Sequence, residues 1–481
     1  MGKSGFTQVP GVAIAPYSDV IAVPDNTLSR LSDLARAGQA DNLFMPNTTP
    51  DAIPNTPTGE LPQTPVTGLL LTGGGARAAY QVGVLEAIAD IRKDAGALLH
   101  TNPFPIITGT SAGAINASAL ACGSDDFDGT VRGIVEVWKN FEAHQVYRAD
   151  SLSMLRSGAR WMTLLSLGWL IAKWRRLKPR SLLDNSPLEA LLASLVPLER
   201  LPDLIRQGHL QALAVTASSY SSGEHITFYE GDEGLMPWLR SQRRAVRDRI
   251  THAHLLASSA IPFVFPATSL EIDGQTEYFG DGSMRQSAPV SPAIHLGATR
   301  ILVVGAGRMH ESKSEKHLHT TNGYPSLAQI AGHALSSIFL DALAVDVERM
   351  RRINQTLSLV PPEARSASAL RPVELLMIEP SQRLDAIAAR HVDELPKAVR
   401  TMLGGVGVSS DKADIKGAAL ASYLLFESGY TRELMALGYA DTQRQKGSIC
   451  KFFDWTLPGE LLAPVTDEVR IERRHDPLRL R

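Results

Sequence analysis

The sequence predicts an α/β protein built on a mainly parallel central sheet, followed by a mostly helical C-terminal region. Three observations carry this. Short apolar runs recur at residues 68–72, 105–108, 210–218 and 298–307, and stretches of helical periodicity separate several of them. Alternating strands and helices of this kind place parallel strands under crossover helices. Two of the runs end in a glycine-bearing turn that leads at once into a helix-forming segment, GLLLTGGGARAAYQVGVL and PIITGTSAGAINASALA. Finally, 44% hydrophobic and 20% charged residues are ordinary globular proportions, which argues against a wholly disordered chain.

The elements follow in order. Residues 1–66 are rich in Pro, Asn, Thr and Asp; proline lacks an amide donor and fixes φ, so this stretch reads as an extension, with one short helix over Leu28–Ala37. From Thr67 the chain runs strand, glycine turn, helix, and residues 102–123 repeat that grammar. LQALAVTAS, HITFYE, TEYFGDGS and ATRILVVGAG read as further strands. Asn185-Ser186-Pro187-Leu188-Glu189 reads as a helix start with Ser186 as N-cap, Pro187 at the first position and Glu189 at the third. ESKSEKHLHTTNGYP is a polar loop, and residues 327–357 carry apolar residues at three- and four-residue steps, the pattern of a long amphipathic helix. RPVELLMIEPS reads as a late strand, and residues 385–481 as helical and then tail-like. The expected division is an extension over 1–66, an α/β unit over 67–305 and a mostly helical region over 306–481.

Length and charge exclude several classes. The 481 residues amount to roughly three domains at ~150 residues each, or one large α/β domain with additions. Forty-eight basic and 50 acidic side chains give a net charge of −2, which lends no support to nucleic-acid binding. Cys122 and Cys450 are too few for a disulfide framework or an all-cysteine zinc site and fit a reducing compartment. The first residues lack the apolar core of a secretory signal, Phe6 stands where myristoylation wants Ser or Thr, and no run reaches the ~18 consecutive apolar residues of a spanning helix. The expectation is a large, near-neutral soluble protein of the cytoplasm.

Gly109-Thr110-Ser111-Ala112-Gly113 matches G-x-S-x-G between an apolar strand and a small-residue helix, the context a nucleophile elbow requires. Gly109 and Gly113 spare the turn a collision with the neighbouring strand and helix, and the helix that follows points amides and its positive dipole end at developing negative charge. The alternative is a tight βα turn with an incidental serine.

Gly73-Gly74-Gly75-Ala76-Arg77 follows the first strand, and three glycines let backbone amides approach an anion. A P-loop would need a Lys-Ser/Thr pair that is missing here. A dinucleotide fingerprint would want glycine at position 78, which is Ala78, although Asp90 and Asp94 lie at the spacing of its acidic residue. With a serine elbow downstream, an oxyanion hole for acyl transfer is the favoured reading over a plain turn. Arg77 is a candidate contact for a lipid phosphate, or equally one half of a structural ion pair. Asp281, in Tyr-Phe-Gly-Asp-Gly-Ser at the end of a predicted strand, is a carboxylate between two glycines, which by itself reads more readily as a turn than as a base.

Taken in order, GGGARAAYQVGVL, GTSAG and D-G-S after a strand resemble the bacterial type of the patatin-like phospholipase family, and SSAIPFVFPA and LGATRILVV resemble its linking segments. The resemblance covers residues 67–305, with a weaker likeness in LDALAVDVERMRRINQTL and LFESGYTRELMALGYAD. It implies a three-layer α/β/α fold and lipid acyl hydrolysis by a Ser–Asp dyad without a catalytic histidine, needing no cofactor and no metal. Carried over, Ser111 is the nucleophile and Asp281 its base, with Gly282 in the acid loop; the glycine loop Gly73, Gly74, Gly75 and Ala76 forms the oxyanion hole. Ala78 and Ser283 depart from the family pattern, at the end of the glycine motif and after D-G, without removing a reacting group.

Histidines offer alternatives. His295 lies 14 residues after Asp281, in the chain order of a conventional triad, but reads rather as a surface or core residue. His252 and His254 have a spacing seen in metal sites without a supporting ligand cluster. In the chain's first half, Trp161–Arg176 holds three of the six tryptophans and the start of a basic run. It is either an interfacial lid that gives peripheral contact with the inner membrane surface or a buried helix with a solvated basic end. The functional expectation is a serine lipid acyl hydrolase of phospholipase A type acting on a phospholipid or other acyl ester. The alternatives are a general carboxylesterase or acyltransferase, and a non-catalytic nucleotide- or lipid-binding module using the GGGAR loop.

Overall fold

The computed structural model describes residues 65–97, 101–148, 181–308, 324–365, 368, 370–408 and 415–456. The expected extension over residues 1–64, the helix over Leu28–Ala37 and the tryptophan-rich segment Trp161–Arg176 lie outside the described residues.

One ten-stranded sheet organises the chain. Its parallel heart runs β10 (Glu374–Ile378), β9 (Arg300–Val304), β1 (Thr67–Leu71), β2 (Ile106–Thr110), β3 (Ala212–Ser219). Beyond β3 it turns mixed. β4 (His225–Gly231) is antiparallel to β3, β6 (Arg243–Arg247) is parallel to β4, and the short β5 (Leu239–Arg240) closes that edge. β8 (Gln275–Asp281) also pairs antiparallel with β3 and carries β7 (Thr268–Ile272) as its hairpin partner.

The apolar runs of β1, β2 and β3 are buried along their whole length because helices cover both faces. Alternate side chains divide between two cores. Leu69, Leu71, Ile107 and Val215 join one with helices α1 (Ala79–Asp94), α2 (Ala112–Ala121) and α3 (Phe127–Lys139). Leu70, Ile106, Ala214 and Val303 join the other with Leu343, Val347 and Met350. That division is the three-layer α/β/α arrangement. Helices α4 (Ser186–Leu195) and α5 (His252–Ser258) flank the first core. Helix α4 begins one residue earlier than its sequence pattern suggests: Asn185 is the N-cap, and Ser186 is helical with its amide held by the Asp184 carboxylate at 2.9 Å.

The long amphipathic helix forms as α6 (Leu327–Ser336) and α7 (Ala342–Leu359), joined by a single π-turn at Ser337–Asp341. Together they are long and apolar enough to cross a membrane. Here Phe339, Leu343, Val347 and Met350 pack into the domain, and the buried Asp346 carboxylate accepts the Val290 amide at 3.0 Å. The late strand forms as β10, and α8 (Ile415–Ala421) and α9 (Ser428–Arg444) follow. Helix α9 lies along α1, where Tyr80 Oη donates to the Asp441 carboxylate at 3.0 Å. Strands β5, β6 and β7 are not legible in the sequence. β6 is an arginine-rich segment, RRAVR, whose pattern gives no apolar signal.

Candidate active site

Strand β2 runs into helix α2 through a single residue. Ser111 has φ 55°, ψ −133°, a backbone conformation that costs a non-glycine residue on the order of 1–3 kcal/mol. Its surroundings hold that strain: the Ser111 amide donates to Ser258 Oγ at 2.8 Å, and its carbonyl accepts the Ala114 amide at 2.9 Å. A Cβ on Gly113 would lie 2.4 Å from the carbonyl oxygens of Leu71 and Thr72, so only glycine lets α2 start this close to β1. Gly109, two residues before the serine, lies opposite Leu71 in the sheet.

The acid arrives from the other side of β3. Ala217 and Asp281 are register partners, which sets the end of β8 beside the elbow. The Asp281 amide donates to the Ala260 carbonyl at 2.9 Å and the Gly282 amide to the Ser258 carbonyl at 3.1 Å. Ser258 thus holds both the serine turn and the acid loop. Ser111 Oγ donates to Asp281 Oδ2 at 2.6 Å, and the Ser283 amide donates to Oδ1 at 2.8 Å. Asp281 is completely buried and Ser111 is 1% exposed. Burial pushes the Asp281 carboxyl up to about 6, and the hydrogen bonds from Ser111 and Ser283 hold it from rising further. His225 braces the same loop, with Nε2 2.9 Å from the Gly282 carbonyl oxygen. Burial lowers its ring to about 4, so it is neutral and donates from Nε2. Sequence reasoning missed Ser258 and His225. Neither sits in a motif, and both act on the loop only through strand pairing and chain crossing.

The glycine loop lies at the end of β1. The amides of Gly73, Gly74 and Gly75 donate to no acceptor among the described residues. Ala76 behaves differently: its amide donates to the Tyr423 carbonyl at 3.1 Å. This corrects the expectation that Ala76 belongs to the oxyanion hole, because its N–H is already used. Arg77 is turned toward the C-terminal region. It is 4% exposed, its Nε donates to Ser422 Oγ at 2.8 Å, and its guanidinium lies 4.0 Å above the Tyr423 ring. Held in this way, it is not among the residues that line the cavity with Ser111.

Gly75, Ser111 and Ala112 line one part of a cavity of about 330 Å³. Ile115 and Ala119 of α2, Trp138 of α3, Leu192 of α4, Phe265 and Phe426 make most of the remaining wall apolar. Asn116, Thr130, Arg200 and Ser259 are the polar members of that wall, and the Asn116 amide is satisfied by Gln81, the Ala78 carbonyl and Trp138 Nε1.

The other sequence candidates lie elsewhere. His295 stacks on Trp238 at 4.7 Å, while the Asp281 carboxylate takes its hydrogen bonds from Ser111 and Ser283. His252 Nε2 lies 2.9 Å from the Val196 carbonyl oxygen, and His254 Nδ1 accepts the Thr251 amide as part of the α5 cap. Among the described residues no group of three His, Cys, Asp or Glu side chains converges as a metal site. Asp90 and Asp94, the acids of the dinucleotide alternative, are taken by Tyr439 and Lys446.

A serine at a strand–turn–helix junction, in a mainly parallel sheet covered on both faces, defines an α/β protein of hydrolase type. The chain carries a patatin-like phospholipase domain: that family's model matches residues 69–294. The domain supports lipid acyl hydrolase activity in general. Among solved structures the chain is similar to VipD from Legionella pneumophila, at 13% identity over 80% of this chain and 67% of that one, with a TM-score of 0.31. It is also similar to human GIVD cytosolic phospholipase A2, at 13% identity with a TM-score of 0.38; the similarity covers 82% of this chain and 60% of the human one. No protein among the curated ones matches the sequence.

Proposed function

We propose that this protein is a phospholipase A-type lipid acyl hydrolase in which Ser111 is the nucleophile and Asp281 its base. The observation that carries this reading is the 2.6 Å hydrogen bond from Ser111 Oγ to a fully buried Asp281 carboxylate, beside an apolar cavity. A fatty-acyl chain lies in the cavity and brings its ester carbonyl to Ser111. The hydroxyl attacks, and its proton passes to Asp281 Oδ2. A carboxyl raised to about 6 is a better base at neutral pH than an ordinary aspartate and is still ionised there. The tetrahedral oxyanion is received by the amides of Gly73, Gly74 and Gly75, each donor being worth ~10²–10³ in rate by analogy with other oxyanion holes. Asp281 then protonates the departing alcohol or lysolipid, leaving Ser111 acylated. Water repeats the attack, gives its proton to Asp281, and frees the fatty acid as the proton returns to Ser111.

The protein acts as a cytoplasmic enzyme that meets its lipid at the membrane surface. The test is a fluorophosphonate probe together with product analysis on phospholipid vesicles. Labelling at Ser111, and release of fatty acid that disappears in Ser111→Ala, are the expected results. Folded protein that is neither labelled nor active would instead favour a lipid-binding module without catalysis.

A further inference from the structure

We propose that the C-terminal segment Ala419–Phe426 is part of the active site, and that Arg77 is the positioning residue through which it sets the glycine loop. This rests on the reading of Ser111 as nucleophile and adds a component that lies outside the matched domain, residues 69–294.

The contacts between the two segments are numerous and independent. The Tyr423 carbonyl accepts the Ala76 amide at 3.1 Å. Gly75 has φ +55°, and a Cβ there would lie 2.3 Å from the same carbonyl oxygen, so the loop conformation and the segment fit each other at backbone level. Arg77 Nε donates to Ser422 Oγ, Nη2 donates to the Ala419 carbonyl at 3.4 Å, and the guanidinium covers the Tyr423 ring. The Tyr423 ring also stacks on Phe339, centroids 5.0 Å apart, and Phe339 packs against Gly73: a Cβ built there would be 3.0 Å from its ring. Phe339 is presented by the π-turn between α6 and α7, a local irregularity that recurs at functional sites. Phe426, at the end of the same segment, lines the cavity with Ser111.

The chemical consequence concerns the donors. The amides that receive the oxyanion sit at Gly73–Gly75, in a loop whose three glycines leave it conformationally loose. Ordering such a loop before reaction is what makes backbone donors effective, because no reorganisation is then needed as charge develops. Arg77 supplies that order from below. Its planar guanidinium donates along two directions and stacks on an aromatic face at once, which a lysine ammonium cannot do. Tyr423 closes the loop from the Ala76 side. Arg77 touches no reacting atom in this scheme.

A positioning role separates transition-state binding from ground-state binding. Three quantities are measured on the full chain: kcat, the affinity of a non-hydrolysable ether-linked phospholipid, and the affinity of a long-chain trifluoromethyl ketone. The ketone mimics the transition state, since Ser111 Oγ adds to its carbonyl carbon while the serine proton passes to Asp281. Arg77→Met is expected to lower kcat and ketone affinity together by ~10²-fold, the scale of one displaced oxyanion donor, with ether-lipid affinity unchanged. Arg77→Lys should recover only part of that loss, and Ser422→Ala should cost about tenfold in the same two quantities, the effect of one hydrogen bond to a charged group. Folded Arg77→Met with wild-type kcat, or with equal losses in ether-lipid and ketone affinity, would overturn the proposal. If Arg77→Met does not fold, wild-type kcat in Ser422→Ala overturns it instead. Failure of the wild-type enzyme to form a ketone adduct at Ser111 would count against the nucleophile assignment itself.

Discussion

The Asp281 carboxylate meets Ser111 directly and Gly75 of the glycine loop lines the same cavity as Ser111, yet the two loops are held by different parts of the chain. Asp281 is fixed from within the matched domain, by strand pairing to β3, by the Ser258 and Ala260 carbonyls and by the His225 ring. The glycine loop is fixed from outside it, by Tyr423 and by Ser422 acting on Arg77, the last two lying 345 positions apart in the chain. The two catalytic tasks proposed for them differ in the same way. Proton transfer needs one short contact, which a rigid strand end can set locally. Oxyanion stabilisation needs several backbone amides aimed together, and a glycine-rich loop reaches that order only when another element packs on it.

Substitution at the acid loop should have the largest effect. Asp281→Asn keeps the shape but removes the proposed base, and kcat is expected to fall by ~10²–10⁴-fold. The same change should stabilise the fold at neutral pH. The Asp281 carboxyl is raised from 3.8 to about 6 on folding, so its neutral form is favoured by the fold. The resulting penalty is absent below pH 4, grows between pH 4 and 6, and is complete above that, on the order of 1–3 kcal/mol. Chemical denaturation should therefore show Asp281→Asn gaining stability at pH 7 and not at pH 4. Equal stability at both pH values would mean that the carboxyl is not held in the way described.

Gly75→Ala addresses the other loop. Its positive φ and the Tyr423 carbonyl 2.3 Å from the added Cβ leave no room, so the loop must shift. A fall of ~10²-fold in kcat is expected, with the Asp281 titration unmoved, because the acid loop has separate supports. A displaced pH profile in this variant would show the two loops to be coupled after all.

The pH profile itself should be simple. Activity on a soluble ester should drop tenfold per pH unit below about 6 as Asp281 takes up a proton. His225 and His295 both lie at about 4 and so add no step between pH 5 and 8. The smallest effect is expected from His295→Ala, which should leave kcat/KM as it is while removing the Trp238 stack. A large loss with the fold intact would restore a conventional triad.

Much of this was legible in the residues. Both glycine-bearing turns, at 73–77 and 109–113, could be placed because a strand, a turn and a helix adjoin within about twenty residues and each leaves its own pattern. The alternation of Leu69, Leu70 and Leu71 between two cores follows from the same local period. The arginine-rich strand β6 escaped, since its pairing with β4 and β5 and not its own pattern makes it a strand.

What the sequence determined by itself was the kind of fold and the presence of a serine turn and a glycine loop, because these depend on neighbours in the chain. The tertiary structure decided their partners. It set Asp281, rather than His295, against Ser111, withdrew the Ala76 amide, and buried the Arg77 charge under Tyr423. Each of these depends on contacts between residues more than 150 positions apart, which no local pattern of side chains encodes.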